Sequence, residues 1–223
     1  MPPSRQSPGR FRRLRAVLER RQPDLTVAME DVHKGRNFAA LLRTADAVGV
    51  LEAHATAYER DRPHRGIAAG AGKWMVVRRH DTTAALLAHL RGAGLRILAA
   101  HPGEDAPAFR DVDYTGPTAL LFGNELDGLS AEGLAGADGR VRIPMLGMVR
   151  SLNVSVAAGL LLYEAERQRT AAGLYERSRL DPATFQRTLF EWLHPRLAAH
   201  CRRRGVPYPA LGEEGELLGE VPR

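Results

Sequence analysis

Ile143-Pro-Met-Leu-Gly-Met-Val-Arg-Ser-Leu-Asn-Val-Ser-Val-Ala-Ala-Gly159 passes from a short aliphatic strand, through a Pro/Gly loop, into an almost wholly apolar helix. Pro144 and Gly147 bend the backbone, and Ser151 stands where an N-cap is expected. The first amide N–H groups of such a helix have no partner within it, so the junction presents donors to whatever occupies the loop. The same pattern also describes an ordinary capped helix entering a core, and this segment alone leaves both readings open.

Outward from this junction, residues 23 to 165 alternate short aliphatic runs with helical patterns, the signature of a parallel sheet covered by helices. Strands are expected near Leu25–Glu30, His54–Tyr58, Lys73–Arg78, Arg96–Ala100, Thr118–Phe122 and Val141–Ile143. Helices fit near Asn37–Val48, Thr82–Arg91, Ala131–Leu134 and Leu152–Arg169, and Gly49, Gly92 and Gly94 stand where C-terminal caps belong. After Gly173, Asp181 as N-cap, Pro182 at the first helical position, and Phe185, Leu189, Trp192 and Leu193 on one face define another amphipathic helix. The Pro-, Gly- and Glu-rich stretch from Val206 onward reads as poorly ordered. The expected organisation is a basic helical arm (1–22), an α/β domain (23–172), and a C-terminal helix with a flexible tail (173–223).

With 223 residues, 44% of them hydrophobic, the chain can build one domain with extensions, or at most two small ones. No apolar run approaches the roughly 20 residues of a membrane span, and the Arg-rich N-terminus lacks an apolar signal core, so a cytoplasmic protein is expected. Cys201 is the single cysteine; it excludes an intrachain disulfide and has no second thiol for a zinc site, so no structural metal is expected despite eight histidines. The net charge of +6 is concentrated: residues 1–22 carry seven Arg against one Glu, while the rest is nearly neutral. Arg10, Arg12, Arg13, Arg15, Arg20 and Arg21 flank Phe11, Leu14, Val17 and Leu18, which share a helical stripe. Such a helix docks through its apolar side and offers guanidinium groups to a polyanion such as RNA, or else is a solvated basic face or lies on a membrane surface.

Several neighbouring chemistries are excluded. Gly70-Ala-Gly72 lacks the third glycine of a dinucleotide fingerprint and precedes a strand instead of following one. Gly72-Lys73 is followed by Trp74, and Ile67 stands where a P-loop needs glycine. No Gly-x-Ser-x-Gly elbow is present.

Two further segments, Asn37-Phe-Ala-Ala-Leu-Leu-Arg43-Thr44 and Leu121-Phe-Gly123-Asn-Glu125-Leu-Asp-Gly128-Leu-Ser130, precede the junction. In this order the three resemble the motifs of the SPOUT RNA methyltransferases, most closely the TrmH-type tRNA (guanosine-2′-O)-methyltransferases, over roughly residues 10 to 195. The resemblance implies a Rossmann-like, mostly parallel sheet ending in a deep trefoil knot, flanked by N- and C-terminal helices, and an obligate homodimer. It implies S-adenosylmethionine as methyl donor, held by Ala100, Gly123, Glu125, Ile143, Met145, Met148, Ser151, Leu152 and Asn153. Arg43 occupies the position of the family's catalytic arginine, and Asn37 shapes the site. Neither metal nor membrane is implied. The implied target is the 2′-OH of guanosine 18 in the tRNA D-loop; ribosomal RNA ribose methylation is the alternative within the family, and a non-catalytic RNA-binding protein the alternative outside it.

Overall fold

The computed structural model describes residues 7–32, 34–56 and 71–218. The chain forms two compact units, Gln22–Leu174 and one that joins the residues before Gln22 to those after Leu174. The two flanking segments, expected as separate arms, thus belong to one unit.

In the central unit six parallel strands run β1 (Leu25–Met29), β2 (Glu52–Thr56), β3 (Val76–His80), β4 (Arg96–Ala100), β5 (Thr118–Phe122) and β6 (Gly139–Val141), in the order β3-β2-β1-β5-β4-β6. Every residue of β1 and β5 is buried, which is why these strands read as continuous aliphatic runs. On one face α2 (Gly35–Ala47) packs against α5 (Val154–Ala171), Phe38, Leu41, Leu42 and Ala45 meeting Ala158, Leu161, Leu162 and Ala165 in one core cluster. On the other face Leu86, Leu87 and Leu90 of α3 (Thr83–Gly92) cover Ala28, Ile97, Ala119 and Leu121, beside the short helix α4 (Ala131–Ala135). Glu52 and His54 of β2 also face α3; burial pushes the His54 imidazole down to about 4, against the raising effect of the Glu52 carboxylate.

Two buried ionic groups tie these layers together. Arg169, fully buried near the end of α5, donates through Nε to Tyr114 O, through Nη1 to Gln22 Oε1 and Asp24 Oδ1, and through Nη2 to Asp24 O and Gly116 O. All five guanidinium N–H groups are therefore used. Glu30, directly after β1, accepts from Thr83 Oγ1, Ser130 Oγ and Ser130 N at 2.6, 2.6 and 2.8 Å, joining the starts of α3 and α4.

In the flanking unit α1 (Pro8–Glu19) buries Phe11, Leu14 and Leu18 and leaves Val17 exposed. Helix α6 (Pro182–Leu193) begins as read from the sequence, Asp181 accepting from Thr184 N at 2.9 Å. A further helix, α7 (Pro195–Arg204), follows, and β7 (Ala210–Leu211) pairs with β8 (Leu217–Leu218) in an antiparallel hairpin. That hairpin lies within the stretch expected to be poorly ordered, of which residues 219–223 fall outside the described ones; Gly215, at φ +85, supplies the left-handed residue its turn needs.

Other boundaries also move. β3 starts at Val76 rather than Lys73 because Ala71–Lys73 is a 3₁₀ turn. β6 is Gly139–Val141 rather than Val141–Ile143, α2 begins at Gly35, before Asn37, and α3 starts one residue later, with Thr82 as its N-cap. β2 is Glu52–Thr56 within the described residues, and Tyr58 lies outside them.

Removing Arg169 leaves Asp24 and three backbone carbonyls without their donor, and Arg169→Ala is expected to cost about 3–5 kcal/mol. Urea unfolding of the two proteins measures it; a loss below about 1 kcal/mol would show that the guanidinium is not the clamp.

Candidate active site

A cavity of about 560 Å³ opens at the carboxyl ends of β4, β5 and β6, the region where parallel sheets bind ligands. Ala100, Val141, Ile143, Leu152 and Leu161 supply apolar wall, and Lys34, Asn124, Glu125, Asp127, Arg150 and Asn153 supply polar edges. Its volume and mixed lining suit a nucleoside-sized ligand.

One wall is the hairpin after β5. Asn124 and Gly128 exchange both backbone hydrogen bonds, at 3.0 and 3.2 Å, while Asn124 Oδ1 accepts from Leu126 N and Asp127 N, each at 2.8 Å. Gly128 takes φ +73, and a Cβ on Gly123 would stand 2.1 Å from the Gly128 carbonyl. Both glycines are required, one for its dihedral angle and one for space.

The opposite wall is held by amide side chains. Asn37 Nδ2 donates to Glu125 Oε1 at 2.6 Å, and Asn153 Nδ2 donates to Asn37 Oδ1 at 3.1 Å. Asn153 Oδ1 in turn accepts from Ser155 N and Ser155 Oγ, capping α5. Desolvation raises the Glu125 carboxyl, but the bond from Asn37, backbone N–H donors at Glu125 and Lys34, and the Lys34 charge outweigh it, leaving the pKa below the ordinary value. Three segments far apart in sequence thus meet in one hydrogen-bonded chain, with an ionised carboxylate at its end.

Of the residues expected to bind the donor, Ala100, Gly123, Glu125, Ile143, Met145, Ser151, Leu152 and Asn153 line the cavity. Met148 does not: its side chain is 99% exposed on the loop before α5. Ser151 lines the cavity but does not cap the helix, because Asn153, two residues on, makes the cap and α5 starts at Val154 instead of Leu152. Lys34 is the N-cap of α2, without a side-chain bond, and Asn37 lies inside its first turn. Arg43, two turns along α2, is exposed and outside the cavity lining of its own chain. Among the arginines of the basic arm, Arg10, Arg12, Arg13, Arg15 and Arg20 are exposed, Arg15 pairing with Glu19 at 3.0 Å. Arg21 is buried, its guanidinium 5.3 Å from the Trp192 ring centroid, so it turns inward rather than toward solvent.

Lys34, Arg150, Asn124 and Asp127 also edge the cavity and were not singled out from the sequence. The Asn124-x-x-x-Gly128 spacing of a tight hairpin carried a signal for Asn124; for Lys34 and Arg150 no local pattern distinguishes them from other surface cations.

Comparison with known proteins gives a consistent set of relatives. The SpoU rRNA Methylase family matches residues 24–163, and the SpoU rRNA methylase C-terminal family matches residues 167–220. The tRNA (guanosine(18)-2′-O)-methyltransferase of Escherichia coli (strain K12) is 50% identical over 218 residues, covering 96% of this chain and 95% of the relative. The solved structure of the Aquifex aeolicus TrmH/SpoU tRNA modifying enzyme superposes with a TM-score of 0.77 at 42% identity, covering 84% of this chain and 96% of that one. An AdoMet-bound rRNA methyltransferase from Sinorhizobium meliloti superposes at 0.60 with 30% identity, over 69% of this chain and 59% of that one.

Gly123→Ala forces a methyl group into backbone and is expected to open the hairpin, lowering stability by about 1–3 kcal/mol. Thermal unfolding checks this; an unchanged midpoint would mean the close approach at Gly123 is relaxed at no cost.

Proposed function

We propose that this chain, which belongs to the SpoU rRNA methylase family, transfers a methyl group from S-adenosylmethionine to a ribose 2′-hydroxyl of RNA, and that its target is guanosine 18 of the tRNA D-loop. The hydrogen-bonded chain in which Asn37 joins Glu125 to Asn153, both of which line one cavity, carries the reaction class, and identity over nearly the full length of the tRNA enzyme from Escherichia coli carries the substrate.

Bound S-adenosylmethionine supplies an electrophilic sulfonium methyl. The chain must hold the donor, position the ribose and stabilise the forming alkoxide. Ile143 and Leu152 provide apolar surface for a purine, while backbone groups of the hairpin and of the 143–152 loop provide hydrogen bonds. Glu125 locks Asn37 and through it Asn153, so hairpin, α2 and α5 keep one spacing. Arg43 cannot act as a general base, since a guanidinium has donors and no acceptor; it stabilises the alkoxide as a fixed cation and holds the neighbouring phosphate.

Its exposure on its own chain follows if the enzyme is a homodimer. Leu126, Leu146, Met148 and Val149, together with Val156, Leu160 and Tyr163 along α5, are exposed apolar side chains on the segments that also line the cavity, and we take them as one surface. A second copy on this surface covers it and brings Arg43 of one subunit toward the cavity of the other. The order of strands and the return of α5 onto α2 agree with the trefoil-knot topology, which we include in the proposal. The exposed arginines of the basic arm take the tRNA backbone, and we place the protein in the cytoplasm with its substrate. Among the described residues no helix is long and apolar enough to cross a membrane.

Labelled methyl transfer to unmodified tRNA transcripts, with the modified nucleotide mapped, tests the reading. Wild type is expected to label guanosine 18, and Arg43→Ala to lose about 10²–10³-fold in rate while still binding the donor. Transfer to ribosomal RNA alone moves the substrate, and transfer to neither RNA leaves a binding protein. Mixing Arg43→Ala with Gly123→Ala subunits is expected to restore activity in heterodimers if sites are shared, and to restore none if each is built within one chain. Replacing Arg12 and Arg13 together by Ala should weaken tRNA binding and lower its log-log salt slope by about 2; an unchanged slope removes the arm from the RNA contact.

A further inference from the structure

On the face of the sheet that carries α3, three imidazoles and a carboxylate from three elements stand together. Rings of His54 (β2), His80 (β3) and His89 (α3) are mutually 5.2–5.3 Å apart, centroid to centroid. Glu52 Oε1 lies 3.6 Å from His54 Nε2 and 3.9 Å from His89 Nε2, and these ligand atoms are all within 4.8 Å of one another. None of these residues lines the cavity described above.

We propose that Glu52, His54 and His89 form a site for a borderline divalent transition-metal cation, zinc above all, that fastens α3 to the β2–β3 edge. Four-coordinate zinc with bonds of about 2.0–2.1 Å to nitrogen and oxygen needs ligand atoms roughly 3.4 Å apart. Glu52 Oε1 stands close to that spacing from both imidazoles, and the two imidazoles, whose ligand atoms are within 4.8 Å, draw together on binding. Two imidazoles and one carboxylate, with water completing the set, is a ligand combination that zinc adopts. The tautomers agree. His54 Nδ1 lies 3.1 Å from His80 Nε2, and with the proton on Nδ1 the bond to His80 orients the ring and leaves the Nε2 lone pair toward Glu52 and His89. Metal-bound histidines commonly donate their second ring N–H to an acceptor that fixes the ring, usually a carboxylate, carbonyl or water; here His80 Nε2 takes that place, which makes His80 the positioning residue.

Glu52 is positioned as well: Arg78 donates Nε to Oε1 at 2.6 Å and Nη2 to Oε2 at 3.0 Å, while Oε1 remains on the side of the imidazoles. Arg78 also adds a positive charge that weakens binding of a cation, so Arg78→Ala should bind the metal more tightly. The absence of a second cysteine gave no reason to expect a metal, because these ligands are separated by up to 37 residues and lie on one strand and a helix.

Titration of the full chain with Zn²⁺ alone, followed by calorimetry and by thermal unfolding, tests the site. Expected is one saturable Zn²⁺ per chain that raises the unfolding temperature, with affinity at least about tenfold weaker in His89→Ala and in Glu52→Gln, and the unfolding shift lost with it. His89 is part-exposed, so His89→Ala should fold, as unchanged circular dichroism would verify. His80→Phe is expected to weaken binding by about tenfold or more, and His80→Gln, whose amide oxygen accepts the same bond, to recover it. Absence of saturable binding to wild type, or equal affinity in wild type, His89→Ala and Glu52→Gln, overturns the proposal.

Discussion

The buried guanidinium of Arg169 is the constraint on which the central unit depends. A charge taken fully out of water is tolerated only when its hydrogen-bonding capacity is used, and here Asp24 neutralises it while Gln22 and three backbone carbonyls take the remaining donors. Those partners belong to the start of β1 and to the loop leading into β5, the two central strands. The C-terminal part of α5 is therefore fixed against the middle of the sheet at its entrance edge.

The opposite end of α5 is fixed at the exit edge, where Asn153 caps the helix and joins Asn37. A helix held at both ends, with Leu161, Leu162 and Ala165 packed between, gives the 142–153 loop a defined anchor. That loop exposes Leu146 and Met148 almost completely while Ile143 and Leu152, at its two ends, line the cavity. The site is thus built on an exposed loop strung between rigid supports, the arrangement in which binding residues commonly sit.

Local signals made much of this legible. Strands β4 and β5 fall at their expected residues, because short aliphatic runs are bounded by turn residues, and α6 is marked by Asp181-Pro182. Gly49 and Gly94 adopt φ +85 and +72, the conformation expected of helix-terminating glycines. What was not legible depends on contacts between distant residues. Ser151 and Asn153 are both good caps, and the choice is made by the bond that Asn153 gives to Asn37. Arg21 and Arg169 look like any arginine in a charged stretch, yet both are buried. The exposure of Met148 could not be told from its composition, and the histidine cluster exists only after β2, β3 and α3 are assembled. The cavity residues were found chiefly through three short motifs; of the cations at its rim Lys34 lies outside them, and Arg150, inside the third, carries no pattern that sets it apart from a surface cation.

The order of strands carries a consequence for biosynthesis. β1 is made early and lies at the centre of the sheet, but its neighbour on one side, β5, comes much later, Val27 pairing with Leu120. At ribosomal rates of about 5–20 residues per second, the intervening chain takes on the order of 5–20 seconds to appear. During that interval Leu25–Met29 can pair with β2 on one side only, and its other edge, five residues that are all buried in the finished protein, stays open to any strand it meets. Vulnerability to misassociation is therefore concentrated in the partly made chain and ends when the fifth strand arrives.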